Sequence, residues 1–237
     1  MTGEAPIWPA MTQDAKVPIT YFSDILCVWA FIAQLRVEEA KARFAGDVAF
    51  AFRFCSVFGD TAHKIASQWG GRGGYKRFNA HVVEAAKAFP EVQLDHRVWL
   101  TARPASSTGP HVFLKAVQLA EHAGRLEAGA AERAIWAMRR AFFQEARDIG
   151  RWEVQCEVGR GAGVELAAVE PLLRDGPAFA ALAADYHAAA AMGVVGSPSF
   201  VLNDGRQKLY GNVGYRVIEA NIQELIRQPH PDQASWC

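Results

Sequence analysis

Cys27 is the residue with the most chemistry to offer. It stands in Ser23-Asp24-Ile25-Leu26-Cys27-Val28-Trp29-Ala30, just after a β-branched, aromatic segment and at the head of an apolar stretch of helical length. A thiol at a helix start faces unsatisfied N–H groups and the positive end of the helix dipole. These favour a thiolate and can bring a thiol pKa from about 8.5 into roughly the 3.5–7.5 range. The chemical reading is a nucleophile; the plain one is a buried cysteine in an apolar run. A second constellation is Gly193-Val194-Val195-Gly196-Ser197-Pro198-Ser199-Phe200-Val201, where Pro198 opens a strand directly after a helix. Such an X-Pro bond is either a candidate cis peptide or a loop terminator. Cys55 ends a second strand, and parallel neighbours bring their C-terminal ends to one side. It is therefore either a resolving thiol for Cys27 or a packed strand-end thiol.

Two further segments could line such a site. Pro104-Ala105-Ser106-Ser107-Thr108-Gly109-Pro110-His111 sets hydroxyls and a histidine at a helix start. Ser107 and His111 there suit an anionic ligand or proton transfer, or else a capped helix with a surface histidine. Trp69-Gly70-Gly71-Arg72-Gly73-Gly74-Tyr75-Lys76-Arg77 is glycine-rich and basic but lacks the P-loop order, so it reads as a lid or a plain loop. Cys156 and Cys237 have no partner in the pattern. Four cysteines without paired spacing exclude a disulfide framework and a metal cluster.

The elements that must position these residues follow from periodicity. Val17 to Ser23 reads as a strand, Leu26 to Phe44 as a helix ended by Gly46, and Val48 to Phe54 as a second strand, together a βαβ unit with parallel strands. From Thr61 to about Ala191 the pattern turns helical, with segments at Gly74 to Phe89, Pro110 to Ala123, Ala130 to Ala146, Arg151 to Arg160, Val164 to Leu173 and Pro177 to Met192. Strand character returns at Pro198 to Leu202, Asp204-Gly205 marks a hairpin turn, Gln207 to Tyr210 is the return strand, and Tyr215 to Arg227 a closing helix. The chain thus reads as α/β: residues 17–60 plus 193–228 form a split βαβ…ββα domain. An all-helical insertion at 61–192 interrupts it, with an N-terminal arm at 1–16 and a tail at 229–237.

Together these residues resemble the thioredoxin superfamily, and within it the branch that joins DsbA-family disulfide oxidoreductases, kappa-class glutathione transferases and 2-hydroxychromene-2-carboxylate isomerases. The resemblance rests on Tyr21-Phe22-Ser23-Asp24 leading into Cys27, on Ala141-Phe142-Phe143 with Asp148-Ile149, and on Gly196-Ser197-Pro198-Ser199-Phe200-Val201. It implies a thioredoxin-like fold, an active thiol at Cys27 and a cis proline at Pro198 facing it. Asp24, Trp29, Ser107, His111, Ser197, Pro198 and Asn212 would be the residues around the substrate or glutathione. Where the family's second cysteine would stand the chain has Ala30, so Cys-Val-Trp-Ala cannot close an internal disulfide. A monothiol oxidoreductase resolved by glutathione or another external thiol is the leading expectation. The alternatives are a glutathione-dependent transferase or isomerase and a non-catalytic binding module. The Ser-Asp pair that holds the γ-glutamyl end of glutathione in kappa-class transferases is replaced by Gly211-Asn212 and its neighbours, leaving Asn212 and the final helix's amide end to hold a carboxylate.

Composition narrows the rest. Over 237 residues, Lys plus Arg and Asp plus Glu both number 25, which argues against the phosphate attraction of a nucleic-acid binder. At 51% hydrophobic and 21% charged residues the chain is too apolar for disorder. The longest apolar run, Ile25 to Ala33, falls well short of the roughly 20 residues of a membrane span. The first residues lack the basic start and apolar core of a secretory signal, so the expectation is a cytoplasmic enzyme without a metal, acting on a small thiol or disulfide, with a homodimer as its candidate assembly.

Overall fold

The computed structural model describes residues 17–226; the expected arm at 1–16 and tail at 229–237 lie outside them. Strand β1 (Val17–Ser23), helix α1 (Val28–Arg43) and strand β2 (Val48–Phe54) form the βαβ unit, with β1 and β2 parallel and Ser23 opposite Phe54. Strands β3 (Ser199–Leu202) and β4 (Gln207–Tyr210) complete a sheet of order β2-β1-β3-β4. Both new pairings are antiparallel, and Phe22 lies opposite Ser199. Two C-terminal strand ends and the N-terminal end of β3 therefore meet at one edge of the sheet, bringing Ser23, Cys55 and Pro198 together.

The alternation of the strands decides what covers each face. Val17, Ile19, Tyr21, Phe200 and Leu202 pack against Val37 and Ala40 of α1 and against Ile218, Ile222 and Leu225 of the closing helix, Tyr215–Ile226. On the other face, Phe22 and Val201 meet Ala189. The β3–β4 turn is built by Asn203, Asp204 and Gly205, all with positive φ (47°, 53° and 100°), as its Asp-Gly pair suggests.

Between β2 and β3 the chain runs as α2 (Thr61–Trp69), α3 (Gly74–Lys87), α4 (Val98–Thr101), α5 (Thr108–His122), α6 (Ala130–Phe143), α7 (Trp152–Gly161), α8 (Leu166–Arg174) and α9 (Pro177–Ala191); the closing helix is α10. Its core is continuous with the start of α1. Phe31 stacks on Phe143 at 4.8 Å between ring centroids, and Trp99 and Phe113 are fully buried in the same cluster.

Several boundaries differ from the sequence pattern for local reasons. Helix α1 begins at Val28 rather than Leu26 because Asp24 draws the intervening turn onto itself: the Leu26 amide donates to Asp24 Oδ1 at 2.9 Å and the Cys27 amide to the Asp24 carbonyl at 3.1 Å. Helices α2 and α4 are additional; the capping side chain of Asp60, which accepts from the His63 amide at 2.9 Å, is the signal that marks α2. The glycine-rich segment is neither a lid nor a plain loop. It is a helix junction, a 3-10 turn over Gly70–Arg72 followed by positive φ at Gly73, because Trp69 and Phe78 pack together on either side (5.5 Å) and hold the two helices close.

Candidate active site

Cys27 occupies the N-cap position of α1 in an extended conformation (φ −83°, ψ 118°), and its carbonyl accepts from the amides of Ala30 and Phe31 at 3.1 Å. Its thiol donates to the Ser197 carbonyl at 3.3 Å, and the Ser197–Pro198 bond is cis. Thiol and cis proline thus face each other where β1 ends and β3 begins.

Cys27 is only 6% exposed. Burial pushes its pKa up; Ser197 and the amides of Ala30 and Trp29 pull it down, and the Asp24 carboxylate adds to the rise. The net direction is upward, opposite to what the helix start alone suggests, because loss of water outweighs the amide dipoles at so enclosed a sulfur. In this conformation Cys27 is a thiol, as its hydrogen bond to a carbonyl requires. Cys55 has a parallel arrangement: its amide donates to the Ser23 carbonyl at 3.2 Å and its sulfur contacts the Gly196 carbonyl at 3.8 Å. Burial pushes this thiol strongly upward. The two sulfurs sit against consecutive carbonyls of the segment that leads into Pro198. Both are free thiols, as is Cys156.

Asp24, Ser107, His111 and Ser197 form one buried network. Asp24 Oδ2 accepts from the amides of Val57 and Phe58 and from Ser107 Oγ, each at 2.8 Å. The Asp24 amide donates to Ser197 Oγ at 2.8 Å. His111 Nε2 accepts from the Ile25 amide at 3.0 Å, its Nδ1 lies 3.4 Å from Tyr186 Oη, and its ring stacks on Phe54 at 4.4 Å. Burial pushes the imidazole down to about 4, so it is neutral, with Nε2 as the nitrogen that accepts the Ile25 amide. Ser107 stands at the N-cap of α5 without capping it, because its hydroxyl is turned to Asp24, and His111 is fully buried rather than a surface residue. The structure gives Asp24, Ser107 and His111 interior bonds that lock the β1–α1 turn to the segment after β2 and to the start of α5.

Trp29 and Asn212 lie apart from this network, on a half-open strip. Trp29 meets Phe89 edge-on at 6.5 Å, Arg36 lies over the same ring at 5.2 Å, and Arg36 Nη1 donates to Asn212 Oδ1 at 2.6 Å. Sequence reasoning missed Arg36 and Phe89, and also the buried Lys115–Asp185 pair (3.0 Å), whose carboxylate accepts from the Phe54 amide at 3.0 Å. It also missed Arg139, fully buried on α6 and bound to Ser23 Oγ at 2.7 Å. A charged residue inside an otherwise apolar helix stripe was the available signal for Lys115 and Arg139.

Among the described residues, recesses also lie away from this network. One of ≈ 590 Å³ runs along the free edge of β2 beside Phe50, Phe52, Gln118 and Ile135. Another, ≈ 600 Å³, is lined by Thr108, Val112, Trp152 and Phe179 among the inserted helices. Among the described residues no group of three or more His, Cys, Asp or Glu side chains could hold a metal ion, and no helix is long and apolar enough to cross a membrane.

The family model of the DSBA-like thioredoxin domain matches residues 18–223. Among solved structures, a probable DsbA oxidoreductase from Streptomyces coelicolor has a TM-score of 0.69 at 22% identity, covering 92% of this chain and 93% of that one. The cytosolic disulfide reductase DsbM from Pseudomonas aeruginosa, in a structure with GSH, has a TM-score of 0.62 at 20% identity, with 87% and 99% covered. A 2-hydroxychromene-2-carboxylate isomerase has 0.58 at 17% identity, with 89% and 97% covered. At such identities the likeness is one of fold. Comparison with curated proteins gives no match.

Proposed function

We propose, from the premise that this chain belongs to the DSBA-like thioredoxin domain family, that it is a thiol oxidoreductase working through one cysteine, Cys27, and an external thiol. One observation carries the reading: the Cys27 thiol is hydrogen-bonded to the carbonyl that precedes cis-Pro198, while the position of a resolving thiol one helical turn on is Ala30, 0% exposed.

A disulfide substrate whose backbone adds as a strand beside Ser197 offers an N–H to the carbonyl that now binds the thiol. Freed of that acceptor, Cys27 gives up its proton to solvent and is left at the amide end of α1, where negative sulfur is favoured. The thiolate attacks a mixed disulfide R–S–S–G, forming the Cys27–glutathione disulfide and releasing RS⁻, which takes up a proton. A second glutathione thiolate attacks the glutathione sulfur, regenerating Cys27 and giving oxidised glutathione. Each cycle reduces one mixed disulfide and consumes one free glutathione thiol, R–S–S–G and GSH giving RSH and GSSG. Glutathione as the external thiol draws support from the GSH present in the DsbM structure, and a reducing cytoplasm would supply it.

The raised Cys27 thiol favours a second reading, in which Cys27 stays protonated and donates a hydrogen bond to the thiolate of bound glutathione in a transferase or isomerase. Replacing Cys27 by Ser separates the two. With a glutathione mixed disulfide and reduced glutathione as substrates, Cys27→Ser is expected to lose turnover by at least about a hundredfold, as removal of a covalent nucleophile does, and Cys55→Ala to keep it. Turnover retained in Cys27→Ser would overturn the covalent mechanism in favour of the donor role.

A further inference from the structure

The guanidinium of Arg139 has no carboxylate within ion-pair distance among the described residues, although it is completely buried. Its partners are neutral oxygens: Ser23 Oγ at 2.7 Å, at the end of β1, and Gln34 Oε1, on α1. Its Nε has no hydrogen-bond partner. Taking a cation out of water costs several kcal/mol, and a neutral amide and hydroxyl offset only part of that. An apolar side chain would hold α6 against α1 at lower cost, so this charge calls for an account other than packing.

The two elements that Arg139 bridges are the two that carry Cys27. The Ser23 hydroxyl lies just before the turn that ends in the thiol, and Gln34 lies two helical turns beyond it. We infer that Arg139 is a positioning residue for Cys27: it clamps β1 to α1 across the turn that presents the thiol, and its fixed positive charge balances the Asp24 carboxylate on that turn. The inference rests on the proposed role of Cys27 as nucleophile.

The ionisable groups around this point are Tyr21 from β1, Asp24 from the turn, Cys55 from the end of β2, His111 from α5 and Arg36 from α1. Arg139 interacts with the first three and with Cys27, and its charge also helps keep His111 neutral. Tyr21, whose hydroxyl donates to the Ala30 carbonyl at 3.4 Å, and Cys55 are held neutral by burial. His111 is likewise neutral, Asp24 has its donors in place, and Arg36 lies on the half-open strip. With these groups fixed, Cys27 is the one beside them whose charge changes in the reaction, so it is the group on which a fixed cation acts. The Asp24 carboxylate disfavours a thiolate there, and Arg139 supplies the opposite sign.

The test is the rate of iodoacetamide alkylation at Cys27 against pH in the full-length protein, read peptide by peptide with Cys55 and Cys156 as controls. Arg139→Gln is expected to move the Cys27 midpoint up by about one pH unit, the low end of the effect of an opposite charge, so that below the midpoint alkylation slows about tenfold. Arg139→Lys is expected to restore the wild-type midpoint. Because Arg139→Gln removes a clamp and can fail to fold, Gln34→Glu provides an independent arm. It places a carboxylate against the buried guanidinium, with Glu38, the exposed partner of Gln34, free to turn away. That variant strengthens the clamp yet cancels the charge, so the midpoint is again expected to rise. A reactive wild-type Cys27 with unchanged midpoints in folded Arg139→Gln or Gln34→Glu overturns the role of Arg139 and leaves the nucleophile standing. A wild-type Cys27 that alkylates no faster than Cys55 at any pH overturns the nucleophile, and the role of Arg139 with it.

Discussion

Replacing Asp24 by Asn changes one oxygen to an NH2 group in a carboxylate whose hydrogen-bond partners are all donors. The carboxylate accepts from the Leu26 amide at 2.9 Å on Oδ1 and from Val57, Phe58 and Ser107 at 2.8 Å on Oδ2. An Asn that keeps its oxygen toward the crowded side retains those bonds as neutral ones, each weaker by about 1 kcal/mol than to a charged acceptor. Its NH2 is then set against the Leu26 amide, which costs about 1–3 kcal/mol for a buried donor without an acceptor. The sum is about 4–6 kcal/mol, a large share of the roughly 5–15 kcal/mol that holds a domain folded. In urea, with a slope of about 2 kcal/mol per molar, the unfolding midpoint should drop by roughly 2–3 M. The same substitution removes a negative charge beside Cys27, so the surviving folded protein should show a more acidic thiol. A midpoint lowered by less than about 0.3 M (about 0.6 kcal/mol at that slope) would refute the structural role of the network. Loss of glutathione affinity at unchanged stability would assign Asp24 to the ligand instead.

Other outcomes follow from the same geometry. His111 is pushed from 6.5 down to about 4 by burial, so between those values the unfolded chain binds a proton that the native state refuses, and stability falls as pH falls through this window. The loss should approach about 3 kcal/mol near pH 4, and His111→Gln should flatten the dependence; urea titrations at several pH values that run parallel for the two proteins would count against it. Ala30→Cys places a thiol one helical turn after Cys27, and oxidised glutathione should then close a disulfide between Cys27 and the introduced thiol, visible by peptide mapping; its absence would mean that the Cys27 sulfur does not address the first turn of α1. Gly159→Ala sets a methyl 2.7 Å from the Phe113 ring and should cost about 1–3 kcal/mol in chemical denaturation while leaving Cys27 alkylation unchanged. A neutral effect would mean that α5 and α7 are less tightly packed than this contact implies.

The split architecture was legible because periodicity survives without tertiary information. The alternation in Val48–Phe54 and the Asp204-Gly205 turn each have a local cause, and both elements stand where the pattern put them. Cys27 and Pro198 were legible as residues of interest for the same reason, one at a strand-to-helix junction and the other at a helix-to-strand junction. The roles of Ser107 and His111 were not. A hydroxyl before a helix has a local reading as a cap, and only the arrival of Asp24 from a distant turn gives it a better acceptor. The glycine-rich segment misled in the opposite way: glycine permits a loop but does not impose one, and the aromatic contacts across it hold two helices together.

By itself the sequence determined the order of the strands and of all the helices but α2 and α4, the absence of a dithiol at Cys-Val-Trp-Ala, and the placement of one thiol at a helix start, since these depend on neighbours along the chain. Only the tertiary structure decided the chemical state of that thiol. Desolvation, the Ser197 carbonyl, the Asp24 carboxylate and the buried Arg139 reach Cys27 from the β1–α1 turn, the segment before β3 and α6. Their effects scale with distance and enclosure in space, and neither quantity is written in the spacing of residues along a chain.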